Sequence, residues 1–350
     1  MTLRAPFPYF GGKRAIAPVV WQAFGDVGGY IEPFAGSAAV LLARPPFTGR
    51  RVETLNDADG WLVNTWRAIK LSPNEVAKHL DWPLTEIDLH ARLAWLQARR
   101  DADLVAWLEG DPEHHDAKAA AWWLYVTCGS IGPAFANGPW QVVDGHLRCL
   151  DNRGQGVKRK VPHLGDAGRG VNRELPHLGD AGQGVNRELP HLGDAGQGVS
   201  RVLSSGVNDL ASYMHVLATR LRYTRITCGN WRRVLTPSAS RATASNPHVA
   251  VLLDPPYSVG ADLYAGRVNN DLPSDVRKWC LTADKSLRIV LCGYLEDHDE
   301  LLQLGWRKVL SRSTQGAGYQ SAKGGKNEAD RERLWLSPAC LQSQLNLTLD

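Results

Sequence analysis

The chain has 350 residues, 43% of them apolar and 22% charged, with 13 Trp, so it can bury one large core or one core with an inserted subdomain. A net charge of +4 and a pI near 8.7 suit a polyanionic partner without identifying one. No apolar run approaches the ~18 residues of a membrane span, no long apolar stretch marks a secretory signal, and six cysteines (128, 149, 228, 280, 292, 340) contain no CxxC pair; membrane spanning, secretion, a disulfide framework and a metal site are therefore not expected, and a reduced cytoplasm is.

In chain order, Pro6-Phe-Pro-Tyr-Phe-Gly-Gly-Lys13 is a Pro- and Gly-rich loop leading into a short helix from Arg14. Residues 29–40 read as a strand end, a tight turn at Ala35-Gly36-Ser37 and a helix through Leu42. Small residues in such a turn let the backbone approach a ligand closely, although an ordinary strand-to-helix turn has the same pattern. Residues 51–55 form a second strand ending in Asn56-Asp57-Ala58-Asp59. A carboxylate at that place can accept both ribose hydroxyls of a nucleoside cofactor. Asp59 directly precedes a helix over 61–70, whose Leu62, Trp66 and Ile69 share one face, and suits its N-cap. That leaves Asp57 as the ribose candidate.

From 72 to 128 the pattern is helical, with Leu93, Leu96, Trp107 and Leu108 and the run 119–125 supplying apolar faces, read as core. His114-His115 is adjacent rather than spaced for a metal and reads as solvated helix-start polarity. Residues 162–175, 176–189 and 190–203 are three copies of a 14-residue unit close to PHLGDAGQGVNREL, and 148–161 aligns as a degenerate fourth. Each unit has too few large apolar groups to fold alone, so the units stack, lie on a host surface or stay mobile. The degenerate copy is the most basic, and Arg153, Lys158, Arg159 and Lys160 are its candidates for phosphate contact. After 204 come a helix over 207–221, a strand over 225–228 and Gly229-Asn230-Trp231, then a strand over 249–253, a helix over 273–281, a strand over 287–291 and a hairpin-like pair, 307–311 and 331–336. The polar loop 313–329 carries Lys323 and Lys326, two further candidates for phosphates.

The strand over 249–253 ends in Asp254-Pro255-Pro256-Tyr257, a tetrapeptide expected by chance in roughly one chain in a thousand of this length. A strand ended by prolines, with Asp capping the turn, is the bland reading. The chemical reading is methylation of an exocyclic amino group, whose lone pair is delocalised into its ring. Asp254 and the Pro255 carbonyl would each accept one N–H and aim the nitrogen at an electrophilic methyl, while Tyr257 stacks on the base. Such a base must first leave the duplex.

Taken together and in order, Pro6 to Lys13, Glu32-Pro33-Phe34-Ala35-Gly36-Ser37, Asn56-Asp57 and Asp254 to Tyr257 resemble the Dam-type (D12 class) DNA adenine-N6 methyltransferases of bacteria and their phages. The resemblance implies an α/β fold, a Rossmann-like S-adenosylmethionine-dependent sheet with an inserted, mainly helical and repeat-containing target-recognition region. It divides the chain into a catalytic domain, 1–70 and 204–340, and a recognition region, 71–203, with the repeats at 148–203. It further implies that Tyr9, Phe10 and Lys13 close over the cofactor, with Lys13 near its carboxylate, that Glu32, Pro33, Phe34, Ala35, Gly36 and Ser37 line its methionine side, that Asp57 holds the ribose, that Asn230 and Trp231 flank the adenine, and that Asp254 to Tyr257 hold the flipped base. Asp254 then touches both ligands. The implied partner is double-stranded DNA, bound without metal by a monomer in the cytoplasm of a bacterium or a phage-infected host.

Two positions depart from the family pattern. Asn230 stands where relatives often have an acid, and its carbonyl can still accept from an adenine amino group. Gly129-Ser-Ile-Gly-Pro-Ala-Phe-Ala136 stands where the family has an Asn- and Arg-containing reading motif, and without its bidentate Arg a GATC target does not follow. The competing functions are N4-cytosine methylation, which poses the same chemical problem, and a catalytically silent DNA-binding module. A dinucleotide-binding dehydrogenase is disfavoured because no GxGxxG follows the first strand.

Overall fold

Five consecutive apolar residues, Val249–Leu253, are all buried, as a strand covered on both faces must be, and they form the middle of a seven-stranded sheet. The computed structural model describes residues 3–9, 12–99, 102–130, 140–143, 146–149, 210–240, 242–256, 271–294, 297–310 and 332–342. In chain order the sheet strands are β1 (Gly29–Glu32), β2 (Val52–Asp57), β5 (Thr224–Cys228), β6 (Val249–Leu253), β7 (Arg288–Tyr294), β8 (Arg307–Leu310) and β9 (Glu332–Leu336). β3 (Trp140–Val143) and β4 (His146–Cys149) make a separate antiparallel pair.

The sheet order is β5-β2-β1-β6-β7-β9-β8, with β9 antiparallel to both β7 and β8 and the other pairings parallel. From β1 the chain builds outward through β2 to β5, then returns to β6 on the other side of β1. The order therefore reverses between β1 and β6, which is where open α/β sheets leave a crevice at their carboxyl edge.

The helices are α1 (Ala17–Phe24), α2 (Ala39–Leu42), α3 (Gly60–Leu71), α4 (Pro73–Leu80), α5 (Glu86–Gln97), α6 (Ala102–Gly110), α7 (Ala117–Gly129), α8 (Leu210–Leu221) and α9 (Leu272–Thr282). The sheet separates two apolar clusters. On one face Leu55, Ile226, Ala250 and Val290 pack with α1, α3, α4, α7 and α8, and on the other Ile31, Val251, Leu253, Ile289 and Leu291 pack with Trp231, Val234 and α9. Alternation along β6 explains the division, since successive side chains point to opposite faces.

Asp59 caps α3 as expected, its Oδ1 accepting from the Trp61 and Leu62 amides at 2.9 and 3.4 Å. The first helix starts three residues later than expected, at Ala17, after a turn, and β2 runs on through Asp57. Trp107 is not core. It is 59% exposed and leans on His114 with ring centroids 5.3 Å apart, because α6 turns only Leu108 and its neighbours towards α3. His115 bonds Ser72 Oγ at 2.7 Å, and Asp116 caps α7 through the Ala119 amide. Of the repeats at 148–203, Arg148 and Cys149 end β4, while 150–203, and with them Arg153, Lys158, Arg159 and Lys160, lie outside the described residues, as do Lys323 and Lys326.

Two buried guanidinium clusters tie distant elements to β2 and β5. Glu53, 3% exposed, accepts from Arg44 at 2.8 Å and from Arg220 at 2.7 and 2.9 Å, and the same two arginines also donate to the Val27 and Leu41 carbonyls. Arg67, 2% exposed, donates to the carbonyls of Ile226 at 3.0 Å, Leu108 at 2.8 Å and Asp111 at 2.8 Å, joining α3, β5 and the end of α6. No described helix is long and apolar enough to cross a membrane.

Burial is the largest single influence on the Glu53 carboxyl and pushes its pKa up, but Arg220 and Arg44 together reverse this and hold it below the usual carboxylate range. A lowered folded pKa adds stability above the unfolded value, and that stability disappears as pH falls through the folded one. Glu53→Gln, which leaves two largely buried guanidiniums without the Glu53 counter-charge, is expected to cost about 3–5 kcal/mol in urea unfolding at pH 7. The difference from wild type should shrink below the carboxylate range, and a difference that does not change with pH would contradict the assignment.

Candidate active site

The carboxyl edge of β1 is a turn that requires Gly36. Its φ is +47°, and a Cβ there would meet Tyr9 Cε1 at 2.6 Å, so the Tyr9 ring lies against this glycine. Trp66 Nε1 donates to the Gly36 carbonyl at 2.9 Å, and the Gly36 amide donates to Asp57 Oδ2 at 3.0 Å. Asp57 Oδ1 accepts from the Asp59 amide at 3.0 Å. Burial, opposed by these amide bonds, raises the Asp57 pKa to about 6.

Asn56, which the sequence reading used only as part of a motif, is 1% exposed and joins three loops. Its Nδ2 donates to the carbonyls of Pro33 and Gly229, both at 3.0 Å, and its Oδ1 accepts from Thr227 Oγ1 at 2.9 Å. The Ala35 amide donates to the Asn56 carbonyl, and the Gly229 amide to the Asp57 carbonyl, each at 2.8 Å. The ends of β1, β2 and β5 are thereby fixed to one another.

The N-terminal loop docks through Phe7, whose ring meets Trp66 at 5.4 Å and Trp123 at 5.1 Å. Further along it, Lys13 is 7% exposed and its Nζ lies 3.0 Å from Asp254 Oδ1 and 2.8 Å from Glu332 Oε1. Burial favours the neutral amine most strongly of any single cause, yet the two carboxylates outweigh it and hold the Lys13 pKa well above its usual value. Asp254 directly follows β6, with Pro255 buried and Pro256 half-buried beyond it. Glu332 escaped the sequence reading: it starts β9, opposite Tyr294 of β7, and only that antiparallel register carries it to this edge.

Glu32, the last residue of β1, is 2% exposed, and its Oε2 has no hydrogen-bond partner among the described residues. Burial pushes its pKa up to about 8, against the pull of the Tyr30 hydroxyl and the Leu41 amide, and the Asp254 and Glu53 charges add to the rise. Ser37 is buried beside the turn, and the Phe34 ring packs against Trp231 at 5.8 Å. Trp231 is itself buried and opens a one-turn 3₁₀ helix, which Asn230 caps by accepting from the Arg232 amide at 2.9 Å. Phe10 and Tyr257 lie outside the described residues. Lys13, Glu32, Gly36, Asp57, Asn230 and Asp254 thus all fall at the carboxyl ends of β5, β2, β1 and β6 or on the loop covering them. No group of three or more His, Cys, Asp or Glu suited to a metal occurs among the described residues.

Gly36→Ala combines an unfavourable φ with a clash on Tyr9 and is expected to cost about 1–3 kcal/mol, read as a lower melting temperature. Tyr9→Ala in the same chain should recover the steric part. Equal melting temperatures for the single and double variants would show that the ring is not what the glycine accommodates.

No curated protein matches the chain. The segment that carries the Tyr9–Lys13 loop, β1 and its turn, and β2 with Asn56 and Asp57, residues 9–90, matches the family described as D12 class N6 adenine-specific DNA methyltransferase.

Proposed function

We propose that the protein transfers a methyl group from S-adenosylmethionine to N6 of an adenine turned out of double-stranded DNA. The observation that carries this reading is the Asp254 carboxylate, set at the end of a fully buried strand at the β1/β6 crevice, followed by two prolines and ion-paired to buried Lys13. Enzymes of the D12 class generally use S-adenosylmethionine, which supplies an electrophilic methyl when bound.

The residues present suit that cofactor. Glu32 Oε2, buried and without a partner among the described residues, is an acceptor for its ammonium; the Gly36 turn lets Tyr9 of the covering loop come close against this edge; and Asp57 stands at the end of β2 for the ribose. Asn230 and Trp231 border the same edge for the adenine ring, and Tyr9, Phe10 and Lys13 belong to the covering loop. Asp254 and the Pro255 carbonyl accept the two N–H bonds of the target amino group, which localises its lone pair. Lys13 keeps Asp254 ionised for that role. Tyr257 provides the stacking face. The division into a catalytic domain at 1–70 and 204–340 and a recognition region at 71–203 belongs to the same proposal, as do phosphate contacts by Arg153, Lys158, Arg159, Lys160, Lys323 and Lys326, and action as a cytoplasmic monomer.

Wild type and Asp254→Ala are to be expressed in a methylation-free bacterial host and the native genomic DNA sequenced with single-molecule detection of modified bases. N6-methyladenine in one short motif, absent with the variant, is expected. N4-methylcytosine would move the assignment to the other base, and unmodified DNA from a folded, cofactor-binding protein would favour the silent binding module.

Because the Glu32 pKa is raised, the residue is mostly protonated at pH 7 and must ionise to receive an ammonium. Titration of S-adenosylmethionine at pH 7 in buffers of different ionisation heat is therefore expected to show release of roughly one proton, with affinity rising as pH approaches 8. Glu32→Gln should bind more weakly and release none. The same proton release in both would remove Glu32 from the ammonium site.

A further inference from the structure

Lys13 bridges two carboxylates that lie far apart in the chain, and only one of them belongs to the Asp-Pro-Pro-Tyr motif. The other, Glu332, reaches the site because β9 runs antiparallel to β7, placing its first residue opposite Tyr294 at the carboxyl edge. The side chains of Lys13, Glu332 and Asp254 are 8%, 15% and 20% exposed, so their charges act on one another through little water. Among the described residues, the titratable and charged groups near Asp254 include Lys13 from the N-terminal loop, Glu32 from β1, the buried Cys292 thiol from β7 and Glu332 from β9.

An ammonium with one buried carboxylate beside it closes on that carboxylate as a neutral pair, and a neutralised carboxylate is a poorer hydrogen-bond acceptor. With two carboxylates at 3.0 and 2.8 Å, the ammonium is shared, and the three groups keep a net negative charge. We propose that Glu332 is a positioning residue of methyl transfer, holding Lys13 so that Asp254 stays ionised without being neutralised and retains its capacity to accept from the substrate amino group. This rests on the adenine methyltransferase reading above. Glu332 acts through Lys13 and touches neither substrate nor cofactor.

The test is a double-mutant cycle on the full chain, with tritiated S-adenosylmethionine and saturating genomic DNA from a methylation-free host. Glu332→Gln is expected to lower kcat about tenfold while the KM for S-adenosylmethionine stays within about twofold. Glu332→Asp, which keeps the charge at a shorter reach, should fall about threefold below wild type. Added to Lys13→Met, Glu332→Gln should cause no further loss, because the route through Lys13 is gone and what remains between the two carboxylates is repulsion, which the Gln relieves. If the Gln variant folds poorly, Glu332→Asp carries the test alone, and an unchanged kcat overturns the proposal. A Glu332→Gln loss that multiplies with that of Lys13→Met, or a Glu332→Gln enzyme as fast as wild type, also overturns it. Wild type that transfers no methyl group overturns the reading beneath it instead, so the two failures are distinct.

Discussion

The site depends on one carboxamide. Asn56 is buried in β2 with both ends of its side chain bonded, and its partners are the first carbonyl after β1, a hydroxyl of β5 and the loop after β5. A parallel sheet delivers strand ends to a common edge but leaves the loops beyond them unspecified. By satisfying carbonyls that would otherwise be buried and unpaired, Asn56 fixes those loops at their first residues. The positions of Glu32, Gly36, Asp57 and Asn230 relative to one another follow from this. Aspartate at position 56 would offer the same shape with no donor and would set a charge against two carbonyls.

Much of this was legible in the chain because its signals are local. The apolar run before Asp254, the small turn at 35–37 and the Asp59 cap each need only a few adjacent residues, and each element formed close to where the pattern put it. What was not legible depends on register between distant segments. Glu332 looks like one more charge at the end of a polar loop until β9 pairs with β7, and Glu53 looks like a solvent-facing acid in a strand until Arg44 and Arg220 reach it from two sides. Trp107 failed for a different reason: an apolar stripe says that a helix has a packing face, and in α6 Leu108 occupies that face. The β3–β4 pair carried a readable signal, Asp144-Gly145 between two β-rich runs, which went unused.

The unusual charge content of the interior has a common logic. Glu53, Arg67, Lys13 and Glu32 are all buried; Glu53 and Lys13 are held ionised by opposite charges on other elements, and the Arg67 donors are satisfied by backbone carbonyls. Breaking any of these pairs is costly even where forming it contributes little, so they specify arrangement more than they add stability. Glu32 is the exception, a buried carboxyl with one oxygen unpartnered among the described residues, and in the proposed function the cofactor's ammonium supplies the missing charge.

Arg67 gives the helical segment a mechanical relation to the sheet. Its guanidinium is one rigid plane, and it grips the β5 backbone on one side and the last turn of α6 on the other. A displacement of α6 must therefore either break these bonds or drag Ile226, two residues before the end of β5. A lysine could satisfy one of those carbonyls but could not act as the strut between them. Whatever seats itself on the outer helices thus pulls, through a single side chain, on the strand that leads into Asn230.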